Sequence, residues 1–395
     1  MWWAVHQWVG LKLSLFLAFV LFTGTLAVLS AEIDWVIHPS LRVAPASAEA
    51  PPRWDLIAGN AARHPGVATI NYIARPHAGA FAARVAFQRA DKSRGYLHVH
   101  PATGRVQGEQ GFVDAQRVLR NLHRHLNLPV KYGVPIVGSL AILLLISLAT
   151  SFVVYRKWWR GFFRPIRWHD ARTAWGDFHR LAGVWSLWFV ALIALTGLWY
   201  LVEQLGGDAP NLPEPPAIAA PPTTMADATG AAHALPASLA AVRRADPALR
   251  IEMIQFPDKT SGAFTFQGQR GAWLVRPRAN AVWADAATAR VEMISDGHDL
   301  NVHQRISEMA DPLHFGSFAG YWTRIPWFLF GLAMTGLALS GAAIYSHRIA
   351  HGARVAAAAS PVWNGLWRGM GQWRWLSLAL IATGAAMIVR MFVEG

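Results

Sequence analysis

Five apolar runs of about twenty residues constrain this chain more than any other feature; they cover residues 8–29, 134–155, 181–202, 325–345 and 375–392. A helix of that length crosses the ~30 Å hydrocarbon core of a bilayer. The expectation is therefore an integral membrane protein with four core spans and a fifth, C-terminal one. Composition agrees: 53% of the residues are hydrophobic, 15% are charged, and 20 are Trp. Many of the Trp flank the apolar runs, where an amphipathic indole anchors a span at the water–lipid boundary. The first run lacks a basic lead-in and a small-residue cleavage site, so it reads as a retained helix rather than a secretory signal.

Charge orients the spans. Arg156, Lys157, Arg160, Arg164, Arg167 and Arg172 follow the second run, and Arg348, Arg354, Arg368 and Arg374 follow the fourth. Short loops rich in Arg and Lys stay in the cytoplasm. The N-terminus is then cytoplasmic, in a bacterial inner membrane, and two long segments lie in the periplasm. The expected layout is span 1 over 1–30, an outer domain over 31–130, span 2 over 131–156 and a basic loop over 157–176. Span 3 follows over 177–203, then a Pro/Ala-rich linker and second outer domain over 204–321. Span 4 over 322–346, a loop over 347–372 and span 5 over 373–395 complete it. The net charge of +13 sits largely in such loops without a basic–aromatic nucleic-acid signature, so no nucleic-acid partner is expected. The chain has no Cys, which excludes disulfides, thiol chemistry and covalent c-type haem attachment.

The chain repeats itself. His6 precedes Gly10 by four residues and Thr23-Gly24 begins seventeen after it; His179, Gly183 and Thr196-Gly197 keep both spacings. Leu122-His123 and Leu313-His314 each precede a proline, Pro135 or Pro326, by the same interval. In the outer segments a helical stretch (56–63; 239–245) leads into strand-like runs at 68–74, 81–88 and 95–100, and again at 251–256, 262–267 and 272–276. Ala102-Thr-Gly-Arg-Val106 is echoed by Ala287-Thr-Ala-Arg-Val291. The unit is helix, outer α+β domain, helix, used twice in one orientation, which places the symmetry axis along the membrane normal.

Duplication turns lone histidines into matched pairs. His6 with His179, and His123 with His314, would face each other across a central space, as bis-His ligation of two b-type haems requires. Gly10 and Gly183, one turn after their histidines, would let a flat macrocycle approach the backbone. The alternative for each histidine alone is a solvated boundary residue. Behind these four stand His347, which shares a helical face with His351, and His125. Lys12, Arg124, Arg180 and Arg324 are candidates for haem propionates, against the alternative of snorkelling to the headgroups. His98 and His100 fall on one strand face and are expected at the surface. His123 and His314 precede their spans by about eleven residues, so the outer site lies at the surface or those segments fold back.

On these residues the chain resembles the PepSY-associated transmembrane-helix family. The resemblance is carried by His6-x-Trp8-x-Gly10 with Thr23-Gly24, the repeated Thr196-Gly197, Leu313-His-x-Gly316, and outer segments ending in Ala102-Thr-Gly-Arg-Val106. Within the family it is most similar to FoxB-type inner-membrane siderophore reductases. The resemblance implies two duplicated PepSY-like periplasmic domains, two bis-His haems b, and a ferric siderophore, of hydroxamate class, as substrate. Electrons would pass from the His6–His179 haem to the His123–His314 haem. With no phosphate-binding loop in the chain, the donor is a membrane quinol or a separate reductase. A binding or regulatory protein without redox activity and an iron or siderophore transport component are the alternatives.

Overall fold

The computed structural model describes residues 1–44, 51–215, 227–258, 260–352 and 361–394. Parts of the expected linker and of the loop over 347–372 fall outside them, as does the side chain of His351. In chain order the helices are α1 (Trp2–Lys12), α2 (Ser14–Val28), α3 (Ser30–Ile37), α4 (Trp54–Ala62), α5 (Ala115–His125) and α6 (Val130–Val154). They continue with α7 (Ala171–Val202), α8 (Ala228–Ala245), α9 (Val302–Phe315), α10 (Tyr321–Gly352), α11 (Pro361–Met370) and α12 (Trp373–Glu394). The strands are β1 (Thr69–Ala74), β2 (Ala83–Gln88), β3 (Arg94–Val99), β4 (Val106–Gly111), β5 (Arg250–Gln255), β6 (Ala263–Gln269), β7 (Ala281–Asp285) and β8 (Val291–Ser295).

The chain separates into two compact units. One gathers Met1–Ser30, Gln116–Asp208 and Leu313–Glu394; the other gathers Ala31–Ala115 and Ala209–Pro312. Each draws on both halves of the duplication.

The first unit is helical. Among the described residues four helices are long and apolar enough to cross a membrane, and the pair α1–α2 makes a fifth if it is one span. That pair departs from the sequence expectation of one straight helix. It bends by 65° at Leu13, whose ψ of 21° leaves the helical range. Neither Pro nor Gly stands at the break. Instead Lys12 Nζ donates to Gly369 O at 2.9 Å, while α1 packs on α6, α10 and α11. α7 begins cleanly, with Asp170 accepting from the Thr173 amide, which satisfies one of the orphan donors of a helix start. Around α2, the side chains of Phe16, Leu17, Val20, Leu122, Leu126 and Leu140 form one apolar core.

The second unit holds a single antiparallel sheet of order β4-β3-β2-β1-β5-β6-β7-β8. The two sequence repeats are its two halves, joined where β1 pairs with β5: Tyr72 opposite Gln255, Ile73 opposite Ile254, Ala74 opposite Met253. Ile73 and Ile254 are both fully buried, and α4 and α8 close the same core with Trp54, Ile57, Leu235 and Leu239. Burial of each such side chain contributes about 1.5–3 kcal/mol, so the halves stabilise each other. The expected third strand of the second repeat, at 272–276, is a loop with Leu274 at φ +55°; the strand is β7. Aligning Ala102 with Ala287 would have found it, because Gly95–His100 then falls on Asn280–Asp285. The expected surface position of His98 is also corrected. β3 is buried along five of its six positions, and His98 is wholly enclosed, with Nδ1 2.8 Å from Ser40 Oγ. Burial, with Arg84 and His38 nearby, pushes its pKa down to about 4. His100 Nδ1 instead accepts from the amides of Ala102 and Thr103 at the β3–β4 turn.

Candidate functional site

His123 and His314 come together in the helical unit. Their ring centres are 6.0 Å apart with planes 36° from parallel. The approach depends on a reversal of the chain: α5 is followed by Leu126 and Asn127, at φ +56° and +55°, which turn the chain back before α6 begins. Of the two arrangements open to the sequence, the segment folds back. His123 thereby lies against α2, where its Nδ1 is 2.9 Å from Val20 O. A Cβ added to Gly24 would fall 2.5 Å from His123 Cε1, so only glycine fits beneath the ring. His314 closes on α7, with Nδ1 2.8 Å from Thr196 Oγ1. Tyr200 and Phe315 meet its ring edge-on at 5.3 and 5.4 Å.

His6 and His179 lie within electrostatic range of each other, each held by a hydroxyl from another helix. His6 Nδ1 is 2.9 Å from Thr150 Oγ1 on α6, and 3.2 Å from Ser147 O. His179 Nδ1 is 2.9 Å from Ser340 Oγ on α10. Space has been left beside both: a Cβ on Gly10 would meet nothing within 4 Å, and one on Gly183 only Leu337 Cδ2 at 3.6 Å.

The four contacts are compatible with one tautomer. Thr150 Oγ1 donates to Ile146 O, Ser340 Oγ to Leu337 O and Thr196 Oγ1 to Leu192 O. Each hydroxyl proton is thus engaged, and the hydroxyl accepts from the imidazole; Val20 O can only accept. With Nδ1 as the donor in each contact, the acceptor lone pair falls on Nε2. An imidazole with Nδ1–H held by an oxygen is how a metal-ligating histidine is oriented. Two imidazoles sharing one metal through Nε2 put their ring centres about 6 Å apart, given metal–nitrogen bonds of about 2 Å. The His123–His314 separation fits that spacing. Among the described residues no group of three or more His, Cys, Asp or Glu is gathered, so pairs of imidazoles are the coordinating chemistry on offer.

The remaining candidates lie as follows. Arg324 is buried and donates to Val28 O. Arg180 pairs with Asp177 and donates to Arg164 O, and Arg124 is exposed. His347 is half-buried near the end of α10. His125 is buried with its backbone against Gly133. Sequence reasoning missed Thr150, Ser340 and Val20 as supports. Thr23-Gly24 and Thr196-Gly197 were visible as a repeat, but not as the seats of His123 and His314.

A family model for the PepSY-associated TM region matches residues 3–348. The chain belongs to the PepSY-associated transmembrane family. All four histidines of the two pairs lie inside the matched range, whereas α11 and α12 lie beyond it. No curated protein matches this PepSY-associated chain at a significant level.

Proposed function

We propose that this protein is a di-haem b reductase of the bacterial inner membrane, which reduces Fe(III) in a periplasmic ferric siderophore and releases Fe(II). The observation that carries the reading is that all four paired histidines have Nδ1 held by an oxygen acceptor. With Nδ1–H as the donor, Nε2 is the ring nitrogen that would ligate a metal. The 6.0 Å spacing of His123 and His314 and the open face of Gly10 suit a flat bis-His cofactor. The motif-level likeness to FoxB-type siderophore reductases supports the choice of substrate, and the basic loops support an orientation with His6 and His179 at the cytoplasmic side.

Bound between the histidines, haem would supply one-electron transfer, with its potential tuned by its protein ligands and by burial. The chain's own work is positional. His6 and His179 would hold one haem, oriented by Thr150 and Ser340. His123 and His314 would hold the other, oriented by Val20 and Thr196. Along α7, His179 and Thr196 are seventeen residues apart, about 25 Å of helix, which sets the span electrons cover. The substrate's iron, once ferrous, is held less firmly by hard oxygen donors, and it leaves.

The test is a dithionite-reduced minus oxidised spectrum of the detergent-purified full chain, with haem counted by pyridine haemochrome. Two b-type haems per chain are expected. His6→Ala or His179→Ala should remove one, and His123→Ala or His314→Ala the other. A folded, colourless protein would end the redox reading and leave a PepSY-type binding protein in its place.

A further inference from the structure

The segment between α6 and α7 is built unlike a water-facing loop. It leaves α6 at Tyr155, makes a 3-10 turn over Trp158–Gly161, and is then fastened to the flank of α7. Trp185 Nε1 donates to Phe162 O at 3.0 Å, and its ring meets Phe162 and Phe163 at 5.5 and 6.1 Å. Gly161 lies against Tyr155 and Val184, where a Cβ would fall 3.0 and 3.2 Å from them. Nearer the start of α7, Arg180 Nη2 donates to Arg164 O and Pro165 O at 3.0 and 3.4 Å, and Arg167 pairs with Asp177 at 2.9 Å. Trp185 stands four residues into the apolar run 181–202, about 6 Å along the axis. Phe162 and Phe163 are therefore held at the level where the span enters hydrocarbon.

Charge and exposure alternate along the same segment. Phe163 is 87% exposed, Trp168 77% and Trp159 56%. Between them stand Arg156, Lys157, Arg160, Arg164 and Arg172, all exposed, and among the described residues none of these five forms an ion pair. The nearby carboxylates are already engaged: Asp170 caps α7 and lies beside His169, while Asp177 takes Arg167 and Arg180. Water suits the free cations but not so bare a phenyl ring, and hydrocarbon suits the ring but not the cations. The boundary between them suits both, and lipid phosphates lie at that boundary.

We propose that the α6–α7 segment is a docking surface for anionic phospholipids: Phe163 and Trp159 enter the acyl chains, while Arg156, Lys157, Arg160 and Arg164 hold head-group phosphates. The leaflet is the one at the His6–His179 end, since the last turns of α6 carry Thr150 against His6. A guanidinium fork matches two phosphate oxygens at once, and a cluster of bases at the edge of a span attracts anionic lipid. Zwitterionic lipids carry a phosphate too, but also a cation that these side chains repel. With its backbone already pinned to α7, the surface loses little freedom on binding. Nothing in this assignment depends on haem.

The experiment titrates the full chain, in lipid-free detergent, with phosphatidylglycerol or phosphatidylcholine of equal chain length, and follows bound lipid by native mass spectrometry. The wild type should favour phosphatidylglycerol by on the order of tenfold in dissociation constant, each base near a lipid surface contributing about fivefold before screening. The combined variant Arg156→Gln/Lys157→Gln/Arg160→Gln/Arg164→Gln should lose that preference. Its melting temperature without lipid should stay at the wild-type value, because these side chains form no ion pair and Arg164 O, which Arg180 binds, is retained. Phe163→Ser should weaken both lipids alike and leave their ratio unchanged. Equal affinity of the wild type for the two lipids, or a preference that survives the combined variant, overturns the surface. Displacement of bound phosphatidylglycerol by inorganic phosphate, with Phe163→Ser without effect, would also overturn it, by showing a site for free anions.

Discussion

The two halves of the helical unit seat equivalent histidines by different means. In the first half the first span is broken at Leu13, and His123 rests on backbone, with Val20 O as acceptor and Gly24 beneath the ring. In the second half α7 runs unbroken for 32 residues, and His314 rests on a side chain, the Thr196 hydroxyl. The repeated Thr-Gly pair is thus split between two jobs: glycine matters in the first copy, threonine in the second. A duplicated motif preserves the site to be filled while the supporting atoms diverge.

Substituting the pair in each copy separates those jobs. Gly24→Ala drives a methyl into the His123 ring and should cost about 3 kcal/mol, the upper end of overpacking, with loss of the haem proposed at His123 and His314. Gly197→Ala meets only Ala141 Cβ, at 3.3 Å, and should stay within about 1 kcal/mol. Thermal melts and haem counts of the two variants give the contrast directly; equal effects would show that Gly24 is not the seat of His123. For threonine the order reverses. Thr196→Val leaves the His314 Nδ1–H buried without its acceptor, at about 1–2 kcal/mol and a tenfold or greater loss in metal-site affinity. Thr23→Val removes only a bond to Val20 O, so haem retention should not change.

Much of this was legible in the sequence, for identifiable reasons. Spans announce themselves because apolar length is a one-dimensional quantity. The histidine pairs emerge because duplication repeats spacing. The break at Leu13 does not, since Lys12-Leu13-Ser14 holds no helix breaker and the bend goes with a contact to Gly369, hundreds of residues away. The union of the two repeats in one sheet also escaped, because β1 and β5 alternate as any half-buried strand does and nothing in either names its neighbour. His98 was misplaced because β3 is buried on both faces, where alternation loses its meaning.

That buried histidine separates the halves of the sheet as well, since the β7 position aligned with His98 is Trp283. His98 has a folded pKa of about 4 against about 6.5 unfolded. Because the folded value is lowered, the unfolded chain binds the extra proton between those limits. Stability should therefore fall as pH drops from about 6.5 toward 4, by about 1 kcal/mol between pH 6 and 5. Hydrogen exchange at Leu97–Val99, corrected for intrinsic rates, should quicken over that range while Val282–Ala284 holds steady. His98→Gln should flatten the response, and a slope that survives the substitution would assign the acid sensitivity elsewhere.

The smallest effect concerns the turns that betray the repeat. Gly104 and Ala289 occupy equivalent places in Ala102-Thr-Gly-Arg-Val106 and Ala287-Thr-Ala-Arg-Val291, and both have positive φ, +69° and +57°. Left-handed backbone costs an L-residue roughly 1–2 kcal/mol, partly offset by glycine's greater freedom when unfolded. Ala289→Gly should therefore stabilise the second hairpin by about 0.5 kcal/mol. The reverse change in the first copy is not its mirror image: a Cβ on Gly104 would fall 2.7 Å from Leu56 Cβ on α4, so Gly104→Ala adds a steric penalty to the strain. Denaturant midpoints of the two variants should move in opposite directions, the loss exceeding the gain. Equal and opposite shifts would mean that backbone preference alone governs both turns, and that packing against α4 contributes nothing to the first.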